Sequence, residues 1–109
     1  MSFFSKLAGL FSRSSREENL LLEGVEHSKA KRPEKALEIF NALLATPTLN
    51  AAVRASALYN RALAYSAMDE DDKAMTDLQK VLTLPGCPEN VLTAAKTRIA
   101  RVKKRAEAE

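Results

Sequence analysis

The chain has 109 residues, 46% of them hydrophobic and 28% charged, with a formal net charge of +3. That length supports one domain with a modest core, and the ordinary balance of apolar and charged residues excludes a disordered or fibrous chain. A single cysteine excludes an internal disulfide and a cysteine-based zinc site, and no apolar run approaches the ~20 residues of a membrane span.

Gly, Pro and the β-branched residues are sparse beside Ala, Leu, Glu and Lys, which predicts helix throughout. Charge is unevenly spread. Lys6, Arg13 and Arg16 stand without an acid in residues 1–16, and the remainder is balanced. Residues 2–11 read as a short amphipathic helix with Phe3, Phe4, Leu7, Leu10 and Phe11 on one face. Interruption by Ser5, Lys6 and Gly9 argues against a secretory signal. Ser14 with Glu17, or Ser15 with Glu18, forms a capping box for a helix to about Lys29 that holds Leu20, Leu21, Gly24, Val25, His27 and Ser28.

Lys31-Arg32-Pro33 makes a turn, with Pro33 at the first position of a helix over 33–45. Ala36, Leu37, Phe40, Leu43 and Leu44 recur there at helical spacing, and Thr46-Pro47-Thr48 ends it. Asn50 caps a longer helix to Met68, with Val53, Ala57, Leu58, Ala62, Ala64 and Tyr65 on its apolar side. After the acidic turn Asp69-Glu70-Asp71-Asp72, a helix runs from Asp71 to Leu84, its first-turn acids favourable at a helix N-terminus. Pro85-Gly86-Cys87-Pro88 is a sharp turn in which Gly86 takes positive φ. A last helix over 88–106 packs Val91, Leu92, Ala95, Ile99 and Val102. Lys96, Arg98, Arg101, Lys103, Lys104 and Arg105 occupy its other side.

Displaced by 38 residues, the chain matches itself. Gly24 falls on Ala62, Ala36 on Ala74, Phe40 on Leu78, Leu43 on Val81, Leu44 on Leu82, Pro47 on Pro85 and Val53 on Val91. Each unit is helix, tight turn, helix and proline-bearing loop. A single unit cannot bury its apolar face, so neighbours must stack. The organisation expected is an N-terminal segment 1–14, repeat one at 15–48, repeat two at 50–86, a capping helix at 88–106 and a tail at 107–109.

On these residues the chain resembles the tetratricopeptide repeat proteins. In the better repeat Leu58, Ala62, Tyr65, Ala74, Leu78, Val81 and Pro85 carry the resemblance. In the other Leu20, Gly24, His27, Ala36, Phe40, Leu43 and Pro47 do so. The resemblance covers about 17–106 and implies an all-α fold, a right-handed α-solenoid of about five helices preceded by the amphipathic segment. The chain departs from the family in its period, 38 residues against about 34. It also lacks glycine in the turn inside each repeat, where Lys31 and Asp69 stand.

No catalytic constellation is present, and neither metal nor cofactor is expected. His27 and Cys87 are the chain's single histidine and single cysteine, one inside a helix and the other in a loop far along the sequence. His27 reads as an interhelix packing residue and Cys87 as a loop residue. The Asp69–Asp72 cluster lacks the alternating ligands, the central glycine and the distal glutamate of a calcium loop, and reads as a solvated turn. The family resemblance implies a concave surface lined by the first helix of each repeat. Carried over by position, this gives Leu21, Val25 and Ser28, then Ser56, Tyr59, Asn60, Leu63 and Ser66, then Thr97, Arg98, Arg101 and Lys104. Such a surface is apolar at one end and basic at the other, and suits a peptide or helix with an apolar anchor and acidic residues. Only Asn60 and Arg98 match the clamp of the family's chaperone-tail binders, which disfavours such tails as partners.

Three readings stand for the N-terminal segment: a weak contact with an anionic membrane surface, docking on the repeats, or disorder. The basic last helix has no interleaved aromatic residue and so no platform for base stacking, which disfavours nucleic acid. The sequence therefore predicts a non-enzymatic, cytoplasmic protein–protein adaptor. The alternatives are a membrane-peripheral scaffold recruited through Phe3, Phe4, Leu7, Leu10 and Phe11, and a self-associating homo-oligomer.

Overall fold

The computed structural model describes residues 12–108, which form five α-helices and no strand. They are α1 (Ser12–Lys29), α2 (Pro33–Leu44), α3 (Ala51–Ala67), α4 (Asp71–Leu82) and α5 (Glu89–Ala108). The all-α expectation holds for these residues. The predicted face of Phe3, Phe4, Leu7, Leu10 and Phe11 lies outside them.

Helix boundaries follow local chemistry, with three corrections. Helix α1 begins at Ser12, so Ser14 and Ser15 lie inside it and not before it. No proline or glycine between Ser12 and Arg16 stops the extra turn. Helix α4 ends at Leu82, two residues short of the predicted end. There the Thr83 hydroxyl donates to the Lys80 carbonyl and the Leu84 N–H to the Val81 carbonyl, both at 3.3 Å. Pro85 drives the residue before it out of helical geometry. Helix α5 continues to Ala108, since nothing in Ala106-Glu107-Ala108 opposes helix.

Other ends match the sequence reading. Pro33 occupies the first turn of α2. The Asn50 side chain accepts the Val53 N–H at 2.9 Å and caps α3. Gly86 has φ of 79°.

The two intra-repeat turns share one backbone form. Lys31 and Asp69 both adopt the left-handed conformation, with φ of 64° and 60°. The N–H one residue further on closes each helix, Arg32 on the His27 carbonyl at 2.8 Å and Glu70 on the Tyr65 carbonyl at 2.9 Å.

Packing is sequential. Helix α1 contacts α2 and α3, α2 contacts α3, α3 contacts α4 and α5, and α4 contacts α5. Among the described residues, no Cα of α2 comes within 8 Å of a Cα of α4, although Leu44 of α2 packs on the second apolar cluster. Two apolar clusters result, both drawing on α3. One joins Phe40, Leu43, Leu49 and Val53, with Leu21 and Val25 packed on it. The other joins Leu58, Leu78, Val81 and Val102, with Tyr59, Val91 and Ile99 packed on it. Ala36, Phe40 and Leu43 are buried, as are their counterparts Ala74, Leu78 and Val81.

Leu49, which the periodicity left in a loop, is buried in the first cluster. His27 is half-buried near the end of α1. Its Nδ1 accepts from Arg32 Nε at 2.9 Å, joining the end of α1 to the turn.

Candidate functional site

The helices expected to line a binding surface stand side by side, because α3 contacts both α1 and α5. From α1, Leu21 and Val25 rest partly on the Phe40 cluster and keep part of their surface in solvent, as Ser28 does. From α3, Ser56, Tyr59, Asn60, Leu63 and Ser66 are all half-buried. Tyr59 packs on the second cluster, and Asn60 turns its amide back onto the Ser56 carbonyl at 2.8 Å. The Ser66 hydroxyl is enclosed without a hydrogen-bond partner among the described residues. From α5, Arg98 is half-buried and Arg101 exposed. The ten residues therefore lie on three adjacent helices, with aliphatic side chains at the α1 end and guanidinium groups at the α5 end.

A second surface was not read from the sequence. Between the C-terminal ends of α2 and α4, an open cavity of about 640 Å³ crosses α3. Leu44, Leu58 and Leu84 line it. Arg54, Arg61 and Lys80 line it as well. Its existence follows from the packing pattern, because α2 and α4 both rest on α3 with their backbones held apart. The sequence signal was present but faint: two arginines, Arg54 and Arg61, stand about two turns apart on one face of α3, a helix whose other side is apolar.

Both arginines are held in place. Arg54 donates to the Leu44 carbonyl at 3.3 Å and the Thr46 carbonyl at 2.8 Å, satisfying the open end of α2. Arg61 grips Asp77 with two hydrogen bonds of 2.8 Å, and its third nitrogen donates to Asn41 Oδ1 at 2.9 Å. Only 3% of the Asp77 side chain is exposed, against 18% for Arg61. The paired geometry is the strong form of carboxylate recognition. The bond to Asp77 is also what holds the Arg61 guanidinium above its ordinary pKa, with desolvation working against it. The Tyr65 ring has two cations near it, Arg61 at 5.8 Å and Lys73 at 5.6 Å from its centre.

The remaining titratable features are structural. Glu70 pairs with Lys73 at 2.9 Å, and Asp71 with Arg105 at 2.7 Å, so two members of the acidic turn engage cations of this chain. Among the described residues, no three of His, Cys, Asp and Glu converge as metal ligands would. Cys87 is half-buried, and desolvation, with a smaller push from Glu89, raises its thiol above the ordinary value. The thiolate is correspondingly scarce at neutral pH, which disfavours a nucleophilic role. Among the described residues, no helix is long and apolar enough to cross a membrane.

Compared with protein-family models, curated proteins and solved structures, the chain matches none.

Proposed function

We propose that the chain is a protein-interaction module, a short right-handed solenoid of tetratricopeptide-like repeats that captures a peptide or helix of a partner along α1, α3 and α5. The observation that carries this reading is the common register of the two hairpins. Their turns take the same left-handed conformation at Lys31 and Asp69, and each first helix packs on its own partner and on the first helix of the next unit. This packing leaves one side of α1, α3 and α5 without a covering layer of described residues. Tyr59 and Leu63 sit centrally on it, half-buried, as anchors for an apolar side chain of the partner. Binding rather than catalysis suits the separation of His27 from Cys87 on different elements. A cytoplasmic location fits the same reading.

The test is affinity capture from the native cell extract with the full chain as bait. The variant carrying Tyr59→Ala and Leu63→Ala is expected to lose its partner while its circular dichroism is unchanged. Retained capture would move the site off this face. A second reading, self-association, rests on Leu20 and Leu22 of α1, which are 41% and 61% exposed beside the half-buried Leu21. Light scattering over a concentration range tests it, and a monomeric mass throughout would remove it.

A further inference from the structure

We infer that the groove between the ends of α2 and α4 binds a small amphipathic anion, a carboxylate head on an apolar body. This site is separate from the face of Tyr59 and Leu63 and does not depend on it.

Volume sets the scale of the ligand. About 640 Å³ lies within the ~300–1,000 Å³ typical of small-molecule sites. Three lining leucines supply the apolar contact, and Leu58 among them is a buried member of the second core cluster on which Leu44 and Leu84 pack.

Charge selects the head group. No aspartate or glutamate is among the residues lining the groove, whereas three cations are. Asp77, beneath the surface, cancels Arg61. Two helix C-termini flank the groove, each carrying roughly half a negative charge. They offset about one of the two remaining cations, so the groove keeps a net positive field. Arg54 already satisfies carbonyls at the end of α2, and the Thr83 N–H and hydroxyl both turn to the Lys80 carbonyl at the end of α4. An incoming carboxylate would therefore meet capped helix ends and the exposed Lys80 ammonium. A neutral ligand of the same shape gains nothing from that field, and a cation is repelled by it.

Dodecanoate, kept below its micelle concentration, is the probe. It is titrated into the full 109-residue chain and followed by two-dimensional amide NMR. Saturable shifts are expected at Ala45, Thr46, Arg54, Thr83 and Leu84. Dodecanol should bind more weakly. Lys80→Glu reverses an exposed charge at a helix end, should keep the fold by circular dichroism, and should weaken dodecanoate by about fivefold to tenfold. Ala45→Trp fills the groove from an exposed position and should abolish the shifts. Lys96→Glu, on α5, should leave them unchanged. Shifts centred elsewhere would overturn the site. Equal binding of dodecanol and dodecanoate, indifferent to Lys80→Glu, would show apolar adsorption and overturn the choice of an anion. An acidic leucine-containing pentapeptide that shifts these amides where dodecanoate does not would make the groove a peptide site and overturn the small-molecule assignment.

Discussion

The hairpin of α1 and α2 and the hairpin of α3 and α4 share a register of 38 residues, yet different forces draw each pair of helices together. In the first, Gly24 lets α1 descend onto the Phe40 ring. A Cβ at residue 24 would lie 2.5 Å from Phe40 Cε1 and 2.9 Å from Cζ, inside any tolerable contact. In the second, the equivalent residues are Ala62 and Leu78, a pair of similar combined size but without a ring. The positions of Glu23 and Ile39 are there taken by Arg61 and Asp77, joined as a buried ion pair. One hairpin closes on shape, the other partly on charge. The repeated backbone therefore specifies where the helices cross but leaves the means of holding them free.

The largest effect should come from the aromatic side of that contrast. Phe40 is fully buried, and Phe40→Ala should cost about 3–5 kcal/mol in urea denaturation, a large share of the roughly 5–15 kcal/mol of a small domain. A cost under 1 kcal/mol would mean that the first hairpin does not depend on the ring. Next comes the charge pair. Asp77→Ala strands a guanidinium that is mostly buried, at about 2–4 kcal/mol, a figure reduced from fully buried cases because Arg61 still reaches water. Replacing both partners by leucine should recover most of that loss, since the desolvation of two charges disappears with them. If the double variant is no better than Asp77→Ala alone, packing and not charge holds the second hairpin. Third, Gly24→Ala should cost about 1–3 kcal/mol by overpacking against Phe40. Combined with Phe40→Leu, which withdraws the ring, it should cost markedly less than it does alone. Strict additivity of the two would remove the steric account of the crossing.

The sequence made the apolar side of this contrast legible. Displacement by 38 residues paired Gly24 with Ala62 and Phe40 with Leu78, and all four are buried. It hid the charged side, because Ile39 opposite Asp77 and Glu23 opposite Arg61 read as mismatches between repeats. Asp77 nevertheless carried a signal. It follows Ala74 by three positions and precedes Leu78 by one, so it lies on the buried stripe of α4, where a carboxylate requires a partner. The α2–α4 groove left only the fainter trace of Arg54 and Arg61 on one face of α3. Its opening depends on how far apart the α2 and α4 backbones stand, which no single helix face encodes. For the candidate binding face, periodicity placed the residues on α1, α3 and α5, but it could not foresee Asn60 spending its amide on the Ser56 carbonyl.

The smallest predicted effect separates the repeats at their turns. A left-handed backbone costs a β-carbon-bearing residue roughly 1–2 kcal/mol, and glycine removes that cost while adding about 0.5–1 kcal/mol of unfolded-chain entropy. Lys31→Gly should therefore stabilise the chain by up to about 1 kcal/mol. Aspartate adopts this conformation more readily than lysine, because its short polar side chain can hydrogen-bond locally. Asp69→Gly should accordingly gain less, or nothing. Its φ of 60° differs by only a few degrees from the 64° of Lys31, so the backbone itself does not distinguish the two sites. Thermal melts of the two single variants decide the matter. A larger gain at residue 69 than at residue 31 would mean that the side chains, and not the shared left-handed turn, set the stability of each hairpin end.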